Sequence, residues 1–319
     1  MSVAFLFPGQ GAQYPGMLHE LPDHPAIAAT LDEASAVLGR AALELDSEGA
    51  LGSTEGVQLA LLIAGTAQAR ALQASGVTPD MVAGLSIGTF AAATIAESLG
   101  LRDALLLVRQ RGRLMEHAAP PDSGLGAIVG LDEQQVQALM KPVNTDQTPV
   151  FLANINAPRQ MIIAGSRQGL EIVLQQARKA GARKAEYLDV SVPSHCPLMD
   201  PVADHLMQAL VPVHLQTPRI LSIGNRYARA MWTAEDVRIE LATNVAYPVR
   251  WYDITTNMYE RGARLFVELP PGHVLTDLAA EAFPQARAVA AATTRGSDIN
   301  LLARREHEGN GISGKDMVD

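Results

Sequence analysis

One cysteine, Cys196, stands in 319 residues. That excludes an internal disulfide framework and a cysteine-rich metal site, and a reducing, cytoplasmic compartment is the natural setting. Positive charge is also short: 25 Lys and Arg against 34 Asp and Glu leave a net charge of −9, a field that opposes nucleic acid or an anionic membrane as partner. No run reaches the ~20 apolar residues of a membrane span. The opening MSVAFLFPGQGAQ lacks a basic leader and breaks at Pro8-Gly9 after a short apolar run, so it reads as a buried strand rather than a signal peptide. With 48% hydrophobic and 18% charged residues, the chain can bury a sizeable core, and its length fits a large domain with or without a smaller insert.

The most informative stretch is DMVAGLSIGTFAAATIAESLG, residues 80–100. An apolar strand enters Gly84-Leu85-Ser86-Ile87-Gly88, and a segment with Ala91, Ala92, Ile95, Ala96 and Leu99 at helical spacing leaves it. This is the G-x-S-x-G nucleophile elbow, with Ser86 as the nucleophile. Glycines flank the serine because a Cβ at either place would meet the neighbouring strand or helix. The turn aims the hydroxyl over a helix N-terminus, whose free N–H groups favour a developing oxyanion.

Before the elbow, residues 3–7 form a strand that ends in Pro8-Gly9-Gln10-Gly11-Ala12-Gln13. This turn lacks the lysine of a P-loop and the third glycine of a dinucleotide fingerprint, which argues against nucleotide binding. It leaves backbone N–H groups beside the carboxyl edge of a sheet, where a second oxyanion donor belongs. Helices are expected over residues 57–74 and 102–118. Arg109 and Arg113 on the second read as solvated surface. Pro120-Pro121-Asp122-Ser123-Gly124 is a linker signal. Residues 127–190 then read β-α-β-β-α-β, the split βαβ pattern of a ferredoxin-like subdomain inserted into a larger one.

At the return to the large domain, Pro193-Ser194-His195-Cys196-Pro197 holds a histidine between two prolines just ahead of a helix, which makes His195 the candidate general base. His273, after Pro270-Pro271-Gly272, is the alternative base or a structural cap. Strands are expected at 219–222 and 265–268. From about Leu302 the chain is polar and Gly-rich and is expected to be disordered. The fold expected is therefore α/β. A large α/β-hydrolase-like domain with a parallel sheet occupies residues 1–122 and 191–303, the ferredoxin-like subdomain 123–190, and a disordered tail 304–319.

With these pieces in place, residues 1–303 resemble the malonyl-CoA:acyl carrier protein transacylase family. The resemblance rests on Pro8-Gly9-Gln10-Gly11-Ala12-Gln13, the serine elbow, Arg111-Gly112 and Pro193-Ser194-His195-Cys196, in that order and spacing. Secondary matches are Asn154-Ile155-Asn156-Ala157-Pro158 with Gln160, Pro248-Val249-Arg250-Trp251 and Glu268-Leu269-Pro270-Pro271-Gly272. The resemblance implies ping-pong acyl transfer, in which Ser86 attacks the malonyl thioester and His195 takes its proton. It further implies that the Gln10 and Ile87 N–H groups hold the oxyanion and that Arg111 pairs with the malonyl carboxylate. Leu85 and Ser194 would border the acyl pocket, with Ser194 leaving no space for an α-methyl branch. A main-chain carbonyl near Arg250 would orient the histidine. Malonyl-CoA would be the substrate, with no permanently bound cofactor or metal, and the partner an acyl carrier protein bearing a phosphopantetheine-type group.

Fatty-acid enzymes of this family usually carry Gly-His-Ser-x-Gly, whereas Leu85 precedes the nucleophile here. Leu85, with Val57-Gln58-Leu59-Ala60-Leu61-Leu62, resembles the epsilon subunit of malonate decarboxylase, which implies the carrier subunit of that enzyme as acceptor. A fatty-acid transacylase is the near alternative. A serine esterase would share the elbow but would place an acidic triad member and a late histidine, and would have no need of Arg111. A non-catalytic carrier-binding subunit would lose the nucleophile or base, yet both are present.

Overall fold

The computed structural model describes residues 2–308. Ten strands run β1 (Ser2–Phe7), β2 (Met81–Gly84), β3 (Ser123–Val129), β4 (Val150–Ala157), β5 (Gln160–Ser166), β6 (Lys184–Tyr187), β7 (Leu221–Ile223), β8 (Ala230–Met231), β9 (Ala263–Glu268) and β10 (Arg287–Ala290). They form a six-stranded sheet of order β10-β9-β1-β2-β7-β8 and a four-stranded sheet of order β4-β5-β3-β6. The first is parallel apart from β8, and the second is antiparallel throughout. The architecture is thus α/β with a mixed, mostly parallel sheet and a second antiparallel one.

Parallel register is what assembles the site. Phe7 of β1 lies opposite Gly84 of β2, and Ala83 lies opposite Ile223 of β7. The Pro8-Gly9-Gln10 turn, the serine elbow and the Gly224-Asn225 turn therefore leave the same carboxyl edge side by side, where open parallel sheets bind ligands. The central strands are apolar because both faces are covered: Val3, Ala4, Phe5 and Leu6 are fully buried.

Helix Thr54–Ala74 begins earlier than the apolar spacing predicts, because the Ser53 side chain accepts from the Gly56 N–H and caps it. It is buried on nearly all sides over Gly56–Ala69 rather than along one stripe, since it packs between helices Pro25–Leu38 and Leu101–Ala118. The strand expected at 219–222 is observed as Leu221–Ile223. In the second sheet the β4–β5 hairpin turns on Pro158-Arg159, and helices Glu133–Met140 and Arg167–Lys179 share an apolar cluster with it. Strand β4 is also held by Val249, in the segment that leads into helix Trp251–Glu260: the Val249 N–H donates to the Ala153 carbonyl and the Val249 carbonyl accepts from the Ile155 N–H.

Two expectations need correction or limits. Residues 304–308 are helical, as the end of helix Gly296–Glu308, rather than part of a disordered tail. Ile299 and Ala303 are buried against the large core, and His307 Nε2 lies 3.1 Å from Asp80 Oδ2, so packing holds a segment whose composition is polar. The rest of that expected tail, 309–319, lies outside the described residues. Among the described residues no helix is long and apolar enough to cross a membrane.

Candidate active site

Gly84 and Gly88 explain the elbow. A Cβ on Gly84 would stand 1.9 Å from the Gly88 carbonyl carbon, and one on Gly88 would stand 2.3 Å from the Phe7 carbonyl oxygen. Only bare backbone lets β2 turn into helix Gly88–Ile95 this tightly. Ser86 sits at the apex with φ 56°, a left-handed conformation that costs a residue with a side chain about 1–3 kcal/mol. His195 is held in a similar one, φ 65°, and its N–H donates to the Val245 carbonyl at 2.6 Å. Pro197 opens a 3-10 turn, and helix Asp200–Leu210 follows. Strain of this kind persists where surrounding contacts over-determine the backbone, and it concentrates at functional sites.

The structure brings Ser86, His195 and Arg111 together although they lie far apart in the chain. His195 Nε2 is 2.8 Å from Ser86 Oγ, and His195 Nδ1 is 2.7 Å from the main-chain carbonyl of Asn244. A carbonyl only accepts, so Nδ1 carries the proton and Nε2 offers its lone pair to the serine hydroxyl. Burial, and then the Arg111 charge, push the His195 pKa down to about 4, which keeps the ring neutral and able to accept a proton near neutral pH.

Arg111 is carried inward by helix periodicity. On helix Leu101–Ala118 it shares a stripe with buried Leu101, Ala104, Leu105, Val108 and Met115, whereas Arg113 points outward to Glu55. Arg111 is fully buried, and desolvation pushes its pKa down to about 9. Its Nη2 donates to Ser86 Oγ at 3.2 Å and to Asn244 Oδ1 at 3.4 Å, while Nε and Nη1 have no partner among the described residues. A buried guanidinium with two unsatisfied donors beside a nucleophile is built for an anionic group.

The orienting carbonyl is that of Asn244, not one near Arg250 as expected. Arg250 turns its guanidinium outward to Asp253 Oδ2 at 2.5 Å and Glu133 Oε2 at 3.5 Å, and its main-chain N–H is used on the Asn225 carbonyl. Asn244 was not singled out from the sequence. It follows helix Ala234–Thr243 and meets all three site residues: besides its carbonyl on His195 and Oδ1 on Arg111, its Nδ2 donates to the Ser86 carbonyl at 3.4 Å and to Thr89 Oγ1 at 2.8 Å.

Gln10 lies in the turn after β1 and accepts on its side-chain oxygen from Gln58 Nε2 at 3.0 Å, another contact not anticipated. Leu85 packs against the apolar cluster around Trp251 and abuts Gly9, where a Cβ would come within 2.6 Å of Leu85 Cδ2. Ser194 is buried beside His195. His273 is remote in character: it is exposed, pairs with Asp277 Oδ2 at 2.8 Å and stands at the start of helix Val274–Ala282, the position of a cap. Among the described residues no cluster of three or more His, Cys, Asp or Glu offers a metal site.

The chain is similar to known proteins over nearly its whole length. The acyl transferase domain family matches residues 4–309. The malonyl CoA-acyl carrier protein transacylase of Bacillus subtilis (strain 168) is 33% identical over 97% of this chain and 99% of its own. The solved malonyl CoA-acyl carrier protein transacylase of Coxiella burnetii superposes with a TM-score of 0.90 at 33% identity, covering 96% of this chain and 98% of that one. A malonyl-transacylase solved in complex with a type II polyketide-synthase acyl carrier protein gives 0.89 at 34% identity, over 95% and 99%. The chain belongs to the acyl transferase family, among the malonyl-CoA:acyl carrier protein transacylases.

Proposed function

We propose that this protein is a malonyl-CoA:acyl carrier protein S-malonyltransferase working by a ping-pong mechanism. Ser86 Oγ attacks the thioester carbonyl of malonyl-CoA as His195 Nε2 takes its proton. The tetrahedral oxyanion is held by the Gln10 and Ile87 N–H groups. Collapse expels the CoA sulfur, which recovers the proton from His195, and leaves a malonyl-seryl ester. The phosphopantetheine thiol of a carrier protein then attacks that ester as His195 takes its proton, and collapse expels Ser86 Oγ, which recovers the proton from His195 and leaves the malonyl group on the carrier as a thioester. Arg111 binds the malonyl carboxylate, and Leu85 and Ser194 border the acyl group. No permanently bound cofactor is required.

The observation that carries this reading is Arg111: fully buried, 3.2 Å from the nucleophile, and with Nε and Nη1 unpartnered among the described residues. A simple serine esterase has no use for it, and His195 is oriented by a carbonyl rather than an acidic residue. The same reading divides the chain into an α/β-hydrolase-like catalytic unit, 1–122 with 191–303, and a ferredoxin-like unit, 123–190. The serine turn after a central strand and the β4-β5-β3-β6 order support that division.

For the acceptor we adopt the carrier protein of fatty-acid-type synthesis, which the named transacylase relatives favour over the malonate decarboxylase carrier expected from Leu85. Leu85 itself is accounted for by its apolar neighbours. The test is intact-mass measurement after mixing with malonyl-CoA, followed by addition of each holo carrier. A malonyl adduct that Ser86→Ala abolishes, discharged faster by the fatty-acid carrier, is expected. Rapid release of free malonate without a carrier would point to hydrolysis, and faster discharge by the decarboxylase carrier would restore the specialised acceptor.

A further inference from the structure

Asn225 is fully buried and spends every polar group it has. Its side-chain Oδ1 accepts from the Ser86 N–H at 2.8 Å, and its Nδ2 donates to the Gly84 carbonyl at 2.7 Å. These two bonds grip both ends of the strained Gly84-Leu85-Ser86 turn from a strand end 139 and 141 residues away. Because the Ser86 N–H is taken, the elbow offers the Ile87 N–H to an oxyanion instead. The Asn225 main chain is held as firmly: its carbonyl accepts from Arg250 N–H at 3.1 Å, and its N–H donates to Glu240 Oε1 at 2.7 Å.

Glu240 is a buried carboxyl that the acyl-transfer steps do not use. Its Oε2 packs against Gly224, where a Cβ would stand only 2.8 Å away. It lies one turn before Asn244, on the helix that leads to the residue contacting His195 and Arg111. Residues four apart on a helix face the same way, so one helix end reaches both the nucleophile's backbone and the base. Burial pushes the Glu240 pKa up to about 7, against the opposing pull of the Asn225 and Arg226 N–H bonds and the Arg226 charge.

We propose that Glu240 and Asn225 are a positioning pair for the nucleophile: the Glu240 carboxyl fixes the Asn225 backbone, and the Asn225 amide fixes the elbow that presents Ser86 to His195. The pair touches neither substrate nor the reacting atoms. It follows that loosening it slows attack without weakening recognition of the malonyl carboxylate, which belongs to Arg111.

This inference rests on Ser86 as the acylated residue, and the experiment separates the two. Single-turnover acylation by malonyl-CoA, followed by intact mass, is compared for wild type, Glu240→Ala, Glu240→Gln, Asn225→Ala and Asn225→Asp, together with KM, the malonyl to acetyl preference and thermal midpoint. Misplacement of a reacting group by about an ångström lowers rate by roughly a hundredfold, so a fall of ~10- to 100-fold in acylation is expected for both alanine variants and Asn225→Asp, at unchanged KM and preference. Aspartate keeps the acceptor for Ser86 but cannot donate to Gly84. Glu240→Gln keeps the acceptor oxygen and should recover most of the rate. Wild-type rates in all four variants, a Gln variant as slow as Ala, or a fall that tracks a lower thermal midpoint and a raised KM would overturn the pairing. Absence of an adduct in the wild type would overturn the acyl-enzyme itself.

Discussion

Replacing Arg111 should invert or flatten the choice between malonyl-CoA and acetyl-CoA. The guanidinium is fully buried, and Nε and Nη1 are unpaired among the described residues, so a bound carboxylate receives up to two charge-assisted hydrogen bonds in a buried site. One such bond is worth about 1.5–3 kcal/mol, so the loss of even one predicts a fall of roughly ten- to more than a hundredfold in kcat/KM for malonyl-CoA in Arg111→Ala. Acetyl-CoA carries no carboxylate, and its kcat/KM should stay the same or rise. Lysine should restore only part of the malonyl rate, because a point charge cannot reproduce a two-pronged contact. Unfolding is separable from this effect. Arg111→Met keeps much of the volume and removes an unpaired buried cation, so its thermal midpoint should hold or rise while malonyl selectivity is lost. The assay is transfer to a holo carrier protein, with kcat/KM measured for both acyl donors. Equal losses for both would show that Arg111 is structural or contacts the CoA portion, and would remove the carboxylate-binding role.

The remaining predictions concern the base and its titration. His195→Ala should reduce transfer by the roughly 10²- to 10⁴-fold of a lost general base, while His273→Ala, at an exposed cap, should leave it unchanged; the opposite pattern would exchange their roles. Protonated His195 cannot accept from Ser86, so kcat/KM in the wild type should hold down to mildly acid pH and fall as pH drops through about 4. Because the Arg111 charge is one cause of that low value, the acid limb in Arg111→Met should move to higher pH, and an unmoved limb would mean that the two residues are not coupled. Gly88→Ala, whose Cβ would meet the Phe7 carbonyl oxygen at 2.3 Å, should yield misfolded protein or a sharply lowered thermal midpoint; a stable, active variant would contradict the steric account of the elbow.

How much of this was legible beforehand follows from the range of each signal. The elbow was readable because its requirement is local: two glycines four residues apart, between an apolar strand and a small-residue helix, leave few other structures. Arg111 came to notice through its motif, and helix periodicity then accounts for its burial, since it falls on the stripe of Leu101, Leu105, Val108 and Met115 while Arg113 falls off it. His195 carried a local signal in its flanking prolines. Asn244 carried none. It orients the histidine through a main-chain carbonyl, a group that every residue type possesses, and it does so across 49 residues. The expectation of a carbonyl near Arg250 had the right kind of group and the wrong place in the chain, and only the packing of helix Ala234–Thr243 against the elbow selects between them.

Glu240 and Asn225 were invisible for a related reason. Either one read alone is an acid on a helix or an asparagine in a turn, and each gains its meaning from parallel pairing of β2 with β7, which sets the turn after Ile223 beside Ser86. The short strands β8 and β10 and the last helix turn to Glu308 likewise have too few residues, or too polar a composition, for a period to show. The sequence by itself therefore determined the strained serine turn and the α/β class, where sterics and periodicity act over a few residues, while Arg111 was marked by its family motif and not by its spacing. The tertiary structure alone decided which backbone groups meet across the sheet edge, because hydrogen bonds between distant main-chain atoms leave no mark on residue type.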